Sequence, residues 1–86
     1  MLMMDKKGEF KFEVINVIGV VSEGNKGWKK ELTRVSWNGK PPKYDLRDWN
    51  ENHEKMGKGI TLTEDELRKL AKILGTEVEF LNQNKN

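Results

Sequence analysis

Residues Lys58–Glu66 read KGITLTEDE, and this stretch joins the last predicted strand to the predicted helix. Gly59–Leu62 is a short run typical of a strand. Thr63 follows it directly, and Glu66 comes three residues later, which is the spacing of a capping box. In a capping box the Thr63 hydroxyl accepts from the backbone N–H of Glu66, and the Glu66 carboxylate accepts from the backbone N–H of Thr63. A helix is therefore predicted to begin immediately after this strand.

An apolar stripe follows the capping box along the predicted helix. Its members are spaced i, i+3, i+4 and i+7, so they share one helical face. They are Leu67, Leu70, Ala71 and Leu74. Gly75 is predicted to end the helix, because glycine is favoured just after a helix C-terminus. The apolar residues beyond it are predicted to form a separate short element. We expect the stripe to cover one face of a sheet.

Three more strands are predicted before residue 58. In the first, Glu9–Val21, polar and apolar residues alternate at the start, and the later part is apolar on both faces. A turn at Ser22–Gly27 leads to a second strand at about Trp28–Trp37. A hairpin at Asn38-Gly39 then leads to a third strand at Lys43–Trp49. This order predicts an α+β fold, a curved four-stranded antiparallel sheet followed by a C-terminal helix.

Several local features of the connections are also predicted. Gly24 and Asn25 are able to take positive φ in the first turn. Gly19 is expected to mark a bend or bulge in the first strand. Residues 50–58 are expected to form a polar loop in which His53 is solvated.

The composition limits the class of protein. The chain has 86 residues, 16 basic and 14 acidic side chains, no cysteine and one histidine. This length predicts one domain at residues 9–81, between a flexible leader at 1–8 and a flexible tail at 82–86. The absence of cysteine fits a cytoplasmic protein, with nucleoid association as an extension of that location. No cofactor or metal is expected, and no apolar run approaches the ~18 residues of a membrane span.

The small size also predicts self-association. A domain of this length buries only about 60–65% of the surface that its unfolded chain exposes. Because disulfides are excluded and a multi-histidine metal site cannot form, a second copy of the chain is the expected source of further burial. A homodimer is therefore predicted.

Positive charge and aromatic residues are concentrated in the middle of the chain. Residues 26–58 contain nine basic and five acidic side chains, a net charge of 9 − 5 = +4. All three tryptophans and the only tyrosine lie in the same block. Lysine and arginine neutralise phosphates, and flat rings stack on bases. This pattern favours a protein that binds nucleic acid.

Three segments of this region carry a family resemblance: Leu32–Lys40 (LTRVSWNGK), Tyr44–Trp49 (YDLRDW) and Lys58–Thr63 (KGITLT). In this combination, Trp28–Leu74, 47 of 86 residues, resembles the single-stranded-DNA-binding core of the transcriptional positive cofactor four family. It is most similar to the small bacterial branch called YdbC-like, and the long strand Phe10–Val21 lies beyond the minimal core. The resemblance implies a homodimer that binds single-stranded DNA on curved sheet surfaces, with little sequence preference and no catalysis.

Two tryptophans are the candidates for base stacking. If Leu32 and Leu46 point toward the helix, the alternation of a strand places Trp37 and Trp49 on the opposite face. Stacking of a base on an aromatic ring contributes roughly 1–3 kcal/mol. The alternative is that one or both rings pack in a dimer core, where tryptophan is also common. For Trp28, packing is favoured.

The other candidate residues are polar or cationic. The resemblance places a DNA-contacting hairpin tip at Asn38 and Lys40, although a solvated turn is the alternative. Arg47 is suited to a phosphate or a base, and its alternative is a surface ion pair with Asp45 or Glu31. The full set of predicted nucleic-acid-binding residues is Lys29, Arg34, Trp37, Asn38, Lys40, Lys43, Arg47, Trp49, Lys55 and Lys58.

The expected function is single-stranded DNA binding in transcription, replication or repair. Two rival classes stay open: an RNA-binding module, and a protein-interaction adaptor in which the tryptophans are interface anchors. An enzyme has the least support, because no nucleophile–base pair or acid–base dyad emerges from the sequence.

Overall fold

The structure is a computed structural model that describes residues 11–84. Four strands, one short 3-10 turn and one helix follow each other along the chain. They are β1 Phe12–Glu23, the turn Asn25–Gly27, β2 Lys29–Trp37, β3 Lys43–Trp49, β4 Met56–Leu62 and α1 Glu64–Gln83. The strands form a single antiparallel sheet in the order β1-β2-β3-β4, which confirms the predicted α+β fold. The predicted leader and residues 9 and 10 of the predicted first strand lie outside the described residues.

The sheet has two faces that differ in what covers them. Leu32 lies opposite Leu46 in the β2–β3 register, and both line a common apolar pocket with the helix, so this side is called the helix face. The opposite side carries Trp37, Trp49 and Arg47 and is called the tryptophan face. The predicted assignment of leucines to one face and tryptophans to the other is therefore confirmed.

The helix begins where the sequence predicted. The backbone N–H of Glu66 donates to the Thr63 hydroxyl at 3.1 Å, and the backbone N–H of Thr63 donates to the Glu66 carboxylate at 2.9 Å. The capping box is therefore confirmed. The helix α1 begins at the residue after this N-cap, so it follows β4 along the chain with only Thr63 between them.

The prediction that Gly75 ends the helix was wrong, because α1 runs on to Gln83 and has 20 residues. A Cβ built on Gly75 meets nothing within 4 Å, so the glycine serves no close approach. Glycine in a helix costs only about 1 kcal/mol relative to alanine. The residues that follow are ordinary helix formers, and each adds a backbone hydrogen bond to a helix already started. The residues Val78, Phe80 and Leu81 thus belong to α1 and not to a separate element.

The helix packs on the sheet through its predicted stripe. An apolar pocket of about 250 Å³ lies between them. Its lining residues are Val21, Leu32, Leu46, Leu62, Leu67, Leu70, Ala71 and Leu74. No residue of α1 is buried, so the helix rests on the sheet without being enclosed by it.

Much of the apolar surface of the described chain is uncovered. Within residues 11–84, the buried hydrophobic side chains are Val35 and Trp49. The large apolar residues of β1 and of the helix beyond Lys72 are between 42% and 64% exposed. These residues are Ile15, Val17, Ile18, Val20, Val21, Ile73, Leu74, Val78, Phe80 and Leu81. Exposed apolar side chains in this number are typical of an interaction surface.

The connections agree with the sequence in part. Asn38 and Gly39 have φ of 53° and 76°, as the predicted hairpin requires. A register shift between Val17 and Gly19 confirms the predicted irregularity in β1. In the first turn, however, Lys26 and Gly27 adopt positive φ, at 58° and 82°.

Gly24 and Asn25, the two turn residues able to take positive φ, do not adopt it. Gly24 is extended, with φ of −109°. Its backbone N–H donates to the Trp28 carbonyl at 2.7 Å, while the Trp28 N–H donates back to Asn25 at 3.1 Å. These two bonds close a 3-10 turn, and the residues with positive φ lie two positions further along the chain, at Lys26 and Gly27.

The fourth strand begins three residues earlier than predicted. Met56 pairs with Trp49 after a register shift, and this extends β4 back from Gly59. The loop is shortened to residues 50–55. Within residues 11–84, no helix is both long and apolar enough to cross a membrane.

Candidate nucleic-acid interface

Trp37 lies at the end of β2, next to the hairpin tip, and is half-buried. The Arg47 guanidinium lies over its ring, with Cζ 5.0 Å from the centroid. Phe12 of β1 pairs with Trp37 in register, and their ring centroids are 6.0 Å apart at an interplanar angle of 50°. An arginine over a tryptophan face is a favourable cation–π arrangement. The indole is therefore held in place by residues from two neighbouring strands.

Arg47 is itself held by a buried carboxylate. Its Nε donates to Asp45 Oδ2 at 2.6 Å, and its Nη2 donates to Asp45 Oδ1 at 2.8 Å. Asp45 is 0% exposed and also accepts from the Thr61 hydroxyl at 3.0 Å. Paired bonds between arginine and a carboxylate fix both distance and plane. Asp45 thus sets the plane of the guanidinium that lies over Trp37.

The remaining Arg47 donor group also points into the protein. Its Nη1 donates to the Met56 sulfur at 3.2 Å and to the Gly57 carbonyl at 3.4 Å. The Arg47 side chain is only 14% exposed. The alternative of an Arg47–Asp45 pair, left open by the sequence, is therefore present, and it is a buried pair. We assign Arg47 a positioning role beneath Trp37.

Gly59 permits the close contact between β3 and β4 at this point. A Cβ built on Gly59 would collide with the Arg47 Cβ and with the Leu46 carbonyl oxygen. Glycine within a strand often marks such a close approach of two backbones. The glycine of the KGITLT segment therefore keeps β4 against the strand that carries Arg47.

Trp49 is a core residue in this structure, with 0% of its surface exposed. Its ring centroid is 5.5 Å from that of Phe12 and 5.5 Å from that of His53. Trp49 presents no ring surface to solvent, so we do not assign base stacking to it. The ring packs inside the chain itself, which differs both from base stacking and from the dimer core that the sequence left open.

His53 is not the solvated loop residue that the sequence predicted. Its Nε2 lies 2.6 Å from the carboxylate of buried Glu31, and its ring packs on Trp49. The Asn50 side chain holds this loop, because its oxygen accepts from the backbone N–H groups of Glu54 and Lys55, both at 2.8 Å. The loop therefore closes over one end of the tryptophan face.

The hairpin tip is joined to β1. The Asn38 side-chain oxygen accepts from the backbone N–H of Lys11 at 2.9 Å, and the Asn38 N–H donates to the Lys11 carbonyl at 2.8 Å. The predicted binding residue Asn38 thus has a structural partner. Lys40 is exposed, and its backbone N–H donates to the Trp37 carbonyl at 3.0 Å. This backbone bond closes the hairpin tip directly after Trp37.

The predicted cations do not form one continuous patch. Lys29 is opposite Trp49 in the β2–β3 register, and Lys55 lies in the loop beyond it, so both are at the far end of the tryptophan face from the tip. Lys58 is exposed on the edge strand β4. The others, Arg34, Lys40 and Lys43, line a groove beside the hairpin.

Sequence reasoning missed Phe12 as a component of this face. It contacts both Trp37 and Trp49. Its alternation with Val14 was visible, but the three register shifts of β1 meant that its partner on β2 could not be read from spacing.

Comparisons with known proteins agree with this geometry. The model of the family described as Transcriptional Coactivator p15 (PC4) matches residues 24–73. A Treponema pallidum (strain Nichols) protein described as uncharacterized is 42% identical over 79 residues, covering 86% of this chain and 93% of that one. The chain therefore belongs to the transcriptional coactivator p15 (PC4) family, a family of single-stranded-DNA-binding proteins. This confirms the resemblance found in the sequence. The match leaves out β1 and the last part of α1.

Proposed function

We propose that this chain is a homodimeric protein that binds single-stranded DNA with little sequence specificity. The observation that carries the proposal is the Trp37 indole, fixed on the Arg47 guanidinium at the end of β2, next to the hairpin tip. Membership of a family that binds single-stranded DNA supports it independently. Such a protein would act in the cytoplasm, where single strands are exposed in transcription, replication or repair.

Base stacking is the role proposed for Trp37. Its ring is half-buried, and its orientation is set before any ligand arrives, by Arg47 on Asp45. A ring that needs no reordering loses less entropy on binding. Stacking on such a ring is worth roughly 1–3 kcal/mol per base and tolerates any base. Low sequence specificity follows from this type of contact.

Phosphate neutralisation is the role proposed for the lysines of the tryptophan face, its loop and the edge strand. Within residues 11–84, Lys29, Lys40, Lys55 and Lys58 have no carboxylate within 4.0 Å, so their charges are available. Each phosphate neutralised on a single strand adds about 0.7 to the slope of log K against log salt. Electrostatic attraction of this kind is independent of sequence.

The uncovered apolar surface supports the homodimer. Five large apolar residues of β1 and five of α1 are exposed, while two hydrophobic side chains are buried in the described chain. A second copy that covers these surfaces would supply the burial that the isolated chain lacks. Dimerisation would also place two tryptophan faces in one particle.

The test is a competition experiment combined with sizing. The protein, 10.0 kDa per chain, is titrated with a labelled oligo-dT of about 20 nucleotides, in competition with unlabelled DNA, matched RNA and duplex. We expect a particle of twice the chain mass that prefers single-stranded DNA. Preference for the RNA would favour an RNA-binding module. Binding to none of the three would favour a protein-interaction adaptor.

A further inference from the structure

A second cationic feature lies on the helix face, away from Trp37. A groove of about 380 Å³ separates the β2–β3 hairpin from the start of α1. Arg34 and Tyr44 are paired in register and share the parity of Leu32 and Leu46, which places them on the helix face. The groove is lined by Arg34, Lys40, Pro41, Pro42, Lys43, Tyr44, Thr63 and Glu64.

The groove carries an excess of positive charge. Arg34, Lys40 and Lys43 have no carboxylate within 4.0 Å in the part of the chain from residue 11 to residue 84. The one acidic lining residue, Glu64, is already engaged, because Arg68 donates to its Oε2 at 2.9 and 2.7 Å. The formal charge of the lining is 3 − 1 = +2. Unpaired cations around a concave surface concentrate field and attract anions.

The walls of the groove are held by local bonds. The Ser36 hydroxyl donates to the Lys40 carbonyl at 2.7 Å, and Pro41-Pro42 restricts the chain that follows. On the other wall, the capping box fixes Thr63 and uses its hydroxyl and backbone N–H. The helix N-terminus is therefore already capped at this residue, and the three side-chain cations account for the attraction.

We propose that this groove binds a backbone phosphate of the single strand after the strand has crossed the hairpin tip. The proposal rests on the proposed function and extends it to the other side of the hairpin. Lys40 lines the groove and also follows directly on the turn that begins at Trp37, so the two sites are contiguous. An arginine guanidinium matches the geometry of a phosphate.

The inference predicts that strand length decides whether the groove is used. A strand of about 6 nucleotides on the tryptophan face ends near the tip, and one of about 20 nucleotides continues into the groove. We compare the double variant Arg34→Gln, Lys43→Gln with the matched control Lys26→Gln, Lys72→Gln. The control removes the same charge at the far end of β2 and on α1.

For the groove variant we expect about a tenfold loss of affinity for the longer strand and less than about twofold for the shorter one. Its salt slope should fall by about 0.7, the value for one phosphate contact on a single strand. The control should change neither affinity by more than about twofold. Circular dichroism and sizing establish that each variant is folded. If the double variant is unfolded, Lys43→Gln alone, at an exposed position, should show a smaller loss that is again confined to the longer strand.

Several results would overturn the inference. One is equal loss for both strand lengths, or equal loss in the variant and its control, since either indicates a general charge effect. Another is no loss at all, which indicates solvated side chains.

A separate experiment adds inorganic phosphate to the protein at matched ionic strength and follows the Arg34 side-chain resonances. Saturation by phosphate, with no length-dependent loss for strands, assigns the groove to free phosphate instead. A wild-type protein that binds neither strand contradicts the proposed function itself, and this is seen before any substitution is made.

Discussion

The Trp37 indole depends on a chain of contacts that ends in the protein interior. Trp37 lies on Arg47, Arg47 is paired with buried Asp45, and Asp45 also accepts from Thr61. A buried pair of this kind contributes little net stability, but loss of one partner leaves an uncompensated charge. The pair therefore acts as a support for the ring, and the two residues make separable predictions.

Trp37→Ala should weaken binding of single-stranded DNA. Loss of one stacked base costs roughly 1–3 kcal/mol, which is about 5- to 150-fold in Kd. Fluorescence anisotropy with a labelled oligo-dT measures it. Trp28→Ala is the matched control, because Trp28 is also half-buried but lies on the helix side beside Lys30. A Trp37→Ala protein that is monomeric or unfolded would assign this ring to structure.

Asp45→Asn should destabilise the fold by about 3–5 kcal/mol, because the Arg47 charge stays buried without its counter-charge. Asp48→Asn is the control. Its partner is Lys30 at 3.6 Å, both side chains are nearly half exposed, and the expected loss is at most about 1 kcal/mol. Urea unfolding compares the two variants. Equal midpoints for both would show that the buried pair does not support this face.

At the scale of elements, the predictions from sequence succeeded where side-chain pattern and local chemistry agree. The strand Lys43–Trp49 has the predicted bounds. The capping box of α1 has the predicted bonds. The start of β4 was missed because Met56–Gly59 contains two glycines and a register shift, which remove the alternating pattern. The end of α1 was missed because Gly75, a residue type favoured just after a helix, lies inside this one. The hydrogen bonds added by continuing a helix already started outweigh the preference of glycine for a helix end.

The burial of Trp49 could not be read from the sequence for a different reason. It depends on Phe12 from the distant β1 and on a loop that the Asn50 side chain folds back. Spacing along one strand identifies the face of a side chain, but it does not identify what covers that face. The candidate site was therefore predicted to the level of its strands and its face. The roles of the individual tryptophans required the structure.

Gly75→Ala tests whether α1 is continuous. The alanine Cβ meets nothing within 4 Å, so it adds helix propensity without a clash and should stabilise the protein by about 0.5–1 kcal/mol. Thermal unfolding measures the change. Gly59→Ala is the contrasting control, since its Cβ collides with Arg47 and should destabilise by about 1–3 kcal/mol. Destabilisation by Gly75→Ala would mean that the chain needs a turn at this glycine.

At the scale of the whole molecule, the described chain is an elongated body of 55 × 32 × 18 Å with cations on one side of its hairpin and apolar surface on β1 and α1. A dimer formed through the apolar surfaces would bring two tryptophan faces into one particle. The net charge of the whole chain is only +2. Attraction to DNA must therefore come from the local arrangement of cations.

The most direct test of single-stranded DNA binding at Trp37 is a tryptophan fluorescence titration of the wild-type protein with oligo-dT, between about 50 and 200 mM salt. We predict saturable quenching, with log K falling linearly against log salt, and weaker binding of a duplex of the same length. The Trp37→Ala variant should lose most of the quenching. Binding that is insensitive to salt, an equal affinity for duplex, or unchanged quenching without Trp37 would contradict the account.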